Sequence, residues 1–150
     1  MNKKALFISD HGDPLAKLGG KQSGGQNNYV KQLALALENK GWQVDVATHW
    51  CDSSEPQIET FGATCRVVRL EAGHKGFVSK DEMYSMLPAF YEELKTTLNL
   101  ASYDIVHTHY WLSGLIGKKL KKNLDCLMYT QPIHLLGQKN GQQAFMINAG

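Results

Sequence analysis

The sequence predicts an α/β fold with a doubly wound parallel sheet, on three observations. Short apolar runs alternate with amphipathic segments from residue 4 to residue 130 of the 150. A Gly-rich loop joins the first apolar run directly to the first amphipathic segment. The chemically interesting residues fall almost entirely in the loops that follow the apolar runs, where open α/β sheets bind ligands.

Lys4–Ile8 reads as a buried strand. Gln26–Lys40 reads as a helix, with Val30, Leu33, Ala34 and Leu37 at i, i+3, i+4, i+7 and Gly41 as its stop. Gln43–Thr48 is the second strand. Trp50–Gly62 is polar, carries Ser53, Ser54 and Pro56, and reads as a loop. Thr64–Leu70 is the third strand and Ala72–Ser79 a loop. Lys80–Leu98 is the second helix, with Leu87, Phe90, Tyr91, Leu94 and Leu98 on one face. Pro88 lacks an N–H and is expected to kink or restart it. Asp104–His107 is the fourth strand, Gly114–Lys122 the third helix and Cys126–Thr130 the fifth strand. Beyond Lys139 no period is visible. A single domain is expected from the length, incomplete at its C-terminus because such folds continue with a further helix and strand.

Composition excludes several classes. The chain is 43% apolar and 20% charged, as globular proteins are, with a net charge of +2. That charge argues against a nucleic-acid partner; the Lys118, Lys119, Lys121, Lys122 cluster reads as a solvated helix end. Cys51, Cys65 and Cys126 are odd in number, far apart and without metal spacing, which points to reduced thiols and a cytoplasmic location. The apolar run after Lys3 and Lys4 is broken by Ser9 and Asp10, too early for a signal peptide, and no run approaches a membrane span.

The candidate site residues cluster at the predicted strand ends. Gly24, Gly25, Gln26 and Asn27 open the first helix, where glycine lets a ligand reach free N–H groups and the helix end favours an anion. The segment is neither GxGxxG nor a Walker loop. His107 and His109 are two apart at a strand end and could share one face; no third metal ligand is evident. Tyr110 and Trp111 are either core or pocket wall. Lys80 opens a helix, an unfavourable place for a cation unless a ligand uses it. His134 and Lys139 follow the last predicted strand; a structural loop histidine and a cleft histidine are both open readings.

Five segments, in order, carry a family likeness: HGDPLAKLGGKQSGGQNNYVKQLALALENKGWQVDVATH, RVVRLEAG, KGFVSKDEM, YDIVHTHYWLSGLIG and HLLGQK. Together they resemble the N-terminal domain of retaining GT-B glycosyltransferases (glycosyltransferase family 4), in the group of sucrose-phosphate synthase, sucrose synthase and mycothiol glycosyltransferase. The resemblance implies a Rossmann-like, acceptor-side domain facing a C-terminal nucleotide-sugar domain that residues 1–150 do not contain. It implies that Gly24 and Gly25 lie near the donor diphosphate and acceptor, that Gln26 and Asn27 contact the acceptor, and that Lys80 and Tyr110 grip its phosphate. His134 is implied close to the transferring sugar, as the catalytic residue, with Lys139 a further substrate contact.

The implied reaction is retaining hexosyl transfer from a nucleotide sugar such as UDP-glucose to a sugar phosphate, without a metal or other cofactor. The donor phosphate would assist deprotonation, and the protein would position and stabilise the leaving diphosphate. Leu135 stands where the family has Ser or Thr, and Asn140 where it has Lys, with Lys139 one place early. Without the second domain the chain alone is expected to be inactive and to self-associate through its exposed cleft face. Two other readings stay open: a stand-alone phosphate- or nucleotide-binding module without catalysis, and a small metal hydrolase built on His11, His107 and His109.

Overall fold

The computed structural model describes residues 3–17, 25–73, 75–123, 128–129 and 143–147. β1 (Lys3–Ile8), β2 (Trp42–His49), β4 (Cys65–Leu70) and β5 (Ile105–Thr108) form a parallel core in the order β4-β2-β1-β5. Ile8 pairs Ala47 and Thr108, and His49 pairs Leu70, so the C-terminal ends of all four strands reach one edge. A four-residue strand, β3 (Ile58–Phe61), flanks β4 antiparallel. On the other side β7 (Gln143–Ile147) runs antiparallel to β5, and β6 (Met128–Tyr129) pairs antiparallel with β7 at the far edge.

The sheet is wound on both faces. α1 (Gly25–Glu38) buries Val30 and Ala34 against Ala5, Phe7, Val44, Val46 and Val67, with Leu33 and Leu37 packed on the same cluster. α2 (Lys80–Thr97) and α3 (Tyr110–Asn123) cover the opposite face. Met83, Phe90, Tyr91 and Leu94 of α2 and Leu112, Ile116 and Leu120 of α3 meet Leu6, Ile8, Val68 and Val106 there. Each fully buried side chain of this size contributes roughly 2 kcal/mol.

The structure corrects five sequence expectations. Trp50–Gly62 is not all loop. β3 lies inside it, an edge strand whose alternation is hidden because only Phe61 is buried. Its hairpin turns at Gly62, which sits at φ 62°, and the Glu38 carboxylate at the end of α1 accepts Ala63 N–H at 2.8 Å. That support is long-range and invisible to local patterns. β3 and β7, the strands that flank the parallel core directly, run antiparallel to it. Pro88 does not restart α2: it is exposed, on the face away from the core, and the helix runs on through it. α3 begins at Tyr110, four residues earlier than expected, because the apolar Trp-Leu pair masks its start. Residues 143–147 form a strand where no period was readable. Of the predicted fifth strand only Met128 and Tyr129 lie among the described residues.

Among the described residues no helix is long and apolar enough to cross a membrane, and no group of three or more His, Cys, Asp or Glu could hold a metal.

Candidate functional site

The candidate site is the edge where β1, β2, β4 and β5 end and all three helices begin or pass. Backbone bonds fix the strand ends: Ser9 N–H donates to Ala47 O at 2.9 Å, His109 N–H to Ile8 O at 2.8 Å and His49 N–H to Asp10 O at 3.2 Å.

Asp10 is the hub of the β1 end and is fully buried. Its N–H donates to Ser113 Oγ at 3.0 Å, and the Ser113 hydroxyl donates back to Asp10 Oδ1. The other carboxylate oxygen receives His11 Nδ1–H. With Nδ1–H donated to Asp10, the neutral ring keeps its lone pair on Nε2. Nε2 is buried and no described side chain contacts it by a hydrogen bond. Sequence reading weighed His11 only as a metal ligand; its pairing with Asp10 needs Ser113, 103 residues away, to hold the carboxylate.

The loop continues to Asp13, whose Oδ2 accepts Arg69 Nε–H at 2.7 Å and whose Oδ1 accepts Leu15 N–H at 2.8 Å. Asn27, in the first turn of α1, is 8% exposed and donates from Nδ2 to Asp13 O at 2.8 Å. Gly25 is exposed, and a Cβ built on it would meet nothing within 4 Å. Packing by the described residues therefore does not demand glycine there.

α2 enters the same edge through a capping box. Ser79 Oγ accepts Glu82 N–H at 3.2 Å and Glu82 Oε2 accepts Ser79 N–H at 2.9 Å. The cap fixes where the helix starts, and hence where Lys80 leaves it. Asp81 and Glu82 complement the helix end that Lys80 opposes. Tyr110 likewise is the first residue of α3. Gln26, Lys80 and Tyr110 are thus placed by their backbone at three helix starts. Gly24, His134 and Lys139, with Leu135 and Asn140, lie outside the described residues.

His107 and His109 do share one face, as their spacing suggested. The rings stack at 4.3 Å between centroids, and Phe7 lies 5.3 and 5.1 Å from them. Tyr29 of α1 is 6.0 Å from His109. Burial holds His107 down to about 4. Burial, and then its neighbour His107, hold His109 well below 6.5. The pair is a neutral, aromatic-packed wall.

Comparison with known proteins identifies the family. The glycosyl transferase 4-like domain model matches residues 24–131. A D-inositol 3-phosphate glycosyltransferase of Corynebacterium glutamicum is 34% identical over 120 residues, covering 79% of this chain and 29% of that protein. One of Corynebacterium jeikeium is 35% identical over 120 residues, with the same shares. The sucrose-phosphate synthase structure from Thermosynechococcus elongatus superposes with a TM-score of 0.76 at 38% identity, covering 81% of this chain and 30% of that one. The chain spans under a third of the length of these relatives. The family match takes in the starts of α1, α2 and α3 together, and this chain belongs to the glycosyl transferase 4-like family, with the N-terminal GT-B fold.

Proposed function

We propose that residues 1–150 form the acceptor-side domain of a retaining hexosyltransferase of sucrose-phosphate synthase type, moving a glucosyl group from a nucleotide sugar to a sugar phosphate. The observation that carries the reading is convergence. The starts of α1, α2 and α3, bearing Asn27, Lys80 and Tyr110 and lying within the family-matched residues 24–131, share one sheet edge with the Asp10–His11 pair that precedes them. A cation and a phenol at two helix starts suit a phosphate, and helix N-termini add their own N–H groups. The His11 Nε2 lone pair suits an acceptor hydroxyl, since Asp10 commits Nδ1 to donation.

In this reading Lys80 and Tyr110 hold the acceptor phosphate, Gln26 and Asn27 orient the acceptor, and Gly24 and Gly25 admit the donor diphosphate. His134 stands beside the transferring sugar and Lys139 adds a substrate contact. The donor phosphate assists deprotonation of the acceptor hydroxyl, and the chain supplies positioning. The nucleotide sugar is held chiefly by a second domain, so residues 1–150 alone bind acceptor without turnover, in a cytoplasmic setting. Their cleft face, with Phe77 53% and Tyr84 59% exposed near the α2 start, favours self-association.

Calorimetric titration of the chain with fructose 6-phosphate, inositol 3-phosphate and inorganic phosphate tests the reading. Sugar-phosphate binding that Lys80→Ala weakens at least tenfold is expected. Nucleotide or flavin binding with no sugar-phosphate binding would favour a stand-alone nucleotide module instead, and product from UDP-glucose and fructose 6-phosphate would overturn the inactivity of these residues.

A further inference from the structure

We propose that Arg69 is a positioning residue of the acceptor site, the brace that fixes the loop after β1 and, through it, the first turn of α1; this rests on the acceptor-side reading above. Arg69 is the penultimate residue of β4 and is 0% exposed. Its Nε donates to Asp13 Oδ2 at 2.7 Å, and its Nη1 to Pro56 O at 2.8 Å and Glu59 Oε2 at 2.9 Å. Glu55 Oε2 lies 3.3 Å from Nε. One cation thus ties the β1 loop, the strap ahead of β3 and β3 itself to the end of β4.

The line from Arg69 to Asn27 is continuous. The guanidinium holds the Asp13 carboxylate, and the Asp13 carbonyl accepts both Asn27 Nδ2–H at 2.8 Å and Ala16 N–H at 3.1 Å. Asn27 is one of the acceptor contacts of the proposed function, and its carboxamide orientation is set by a residue two strands away. Along Gly12–Ala16, Leu15 packs on the core and Gly12, Asp13 and Pro14 are buried. Burial holds the loop down, and directional bonds, several of them from arginine's planar fork, set its register. Stability alone does not ask for this device, because a buried ion pair replaced by well-packed apolar residues is commonly as stable or more so. A fixed loop position does ask for it.

Amide hydrogen exchange on the wild-type chain, Asp13→Asn and Arg69→Lys tests the brace, with fructose 6-phosphate and inositol 3-phosphate titrations beside it. The Leu15 and Ala16 amides, both bonded to Asp13, report the loop, and the α2 amides report the rest of the fold. Asp13→Asn keeps an acceptor but removes the charge. It is expected to speed exchange at Leu15 and Ala16 about tenfold with α2 unchanged, and to weaken sugar-phosphate binding by a similar factor. Arg69→Lys is expected to act in the same direction; if it fails to fold, Asp13→Asn decides. Unchanged loop exchange, uniformly faster exchange, or undiminished sugar-phosphate binding in a variant with a loosened loop would each overturn the proposal. A wild-type chain that binds neither sugar phosphate overturns the acceptor reading, and the exchange pattern then decides the brace on its own.

Discussion

His107 and His109 stack with planes 11° apart, both neutral, on the side of β5 that faces α1. Stacking two imidazoles in an apolar wall works only while neither is protonated, which ties this edge of the sheet to pH.

The sign follows from the direction of the shifts. Between pH 6.5 and about 4 the unfolded chain protonates these histidines and the folded chain does not, so acidification favours unfolding in that window. Urea unfolding at pH 7 and pH 5 is expected to show a loss on the order of 1–3 kcal/mol. His107→Gln should flatten the dependence. A wild-type stability that rises on acidification from pH 7 to 5 would contradict the buried neutral pair.

Asp45 anchors the opposite end of the sheet. It is 3% exposed, accepts Arg66 Nε–H and Nη2–H at 2.8 Å each, and accepts the Tyr103 hydroxyl at 2.6 Å. Burial raises its carboxyl, but these bonds outweigh burial and the net direction is down, so its contribution is lost as pH falls through the acid range. Tyr103→Phe is expected to cost about 1–2 kcal/mol in denaturant unfolding. Asp45→Ala should cost more, about 3 kcal/mol, because it strands the Tyr103 hydroxyl and part of Arg66. Equal effects of the two changes would argue against Asp45 as the centre of the network.

The two special positions of α2 should act in opposite directions. Ser79→Ala removes the capping box and is expected to lower stability by about 1 kcal/mol. Pro88→Ala restores a donor in the middle of an exposed helical face and is expected to raise stability by about 1 kcal/mol or more. Thermal melts of the two variants read both effects, and a loss on Pro88→Ala would mean the proline packs where the structure shows it exposed.

Gly62→Ala should destabilise by about 1–2 kcal/mol, since φ is 62° there and the new Cβ would lie 2.7 Å from Glu38 Oε2. Chemical denaturation checks it. Glu38→Gln in the same background should recover none of the backbone strain.

Much of the fold was legible because the apolar periods of β1, α1, β2, β4 and α2 are strong and local. Val30, Ala34, Phe90 and Leu94 are buried as their spacing required. β3 was not legible, since an edge strand with one buried residue carries almost no alternation. The start of α3 was masked by its own apolar residues. At the site, Gly25, Asn27 and Lys80 could be singled out by their positions before or at helix starts, and Tyr110 by its place just past the end of the fourth strand. Asp10, Ser113, Asp13 and Arg69 could not, although a charged residue at position 69 of the buried run RVVRL was the available signal.

The sequence by itself determined the βα order, the helix faces and the Gly-rich loop that leads into α1, because each of these depends on residues a few places apart. Only the tertiary structure decided the strand directions at the two sheet edges, the Asp10–His11–Ser113 cluster and the Arg69–Asp13–Asn27 line. Those depend on charge and hydrogen-bond partners 56 and 103 residues apart, which a parallel sheet brings to one edge only once its crossovers close.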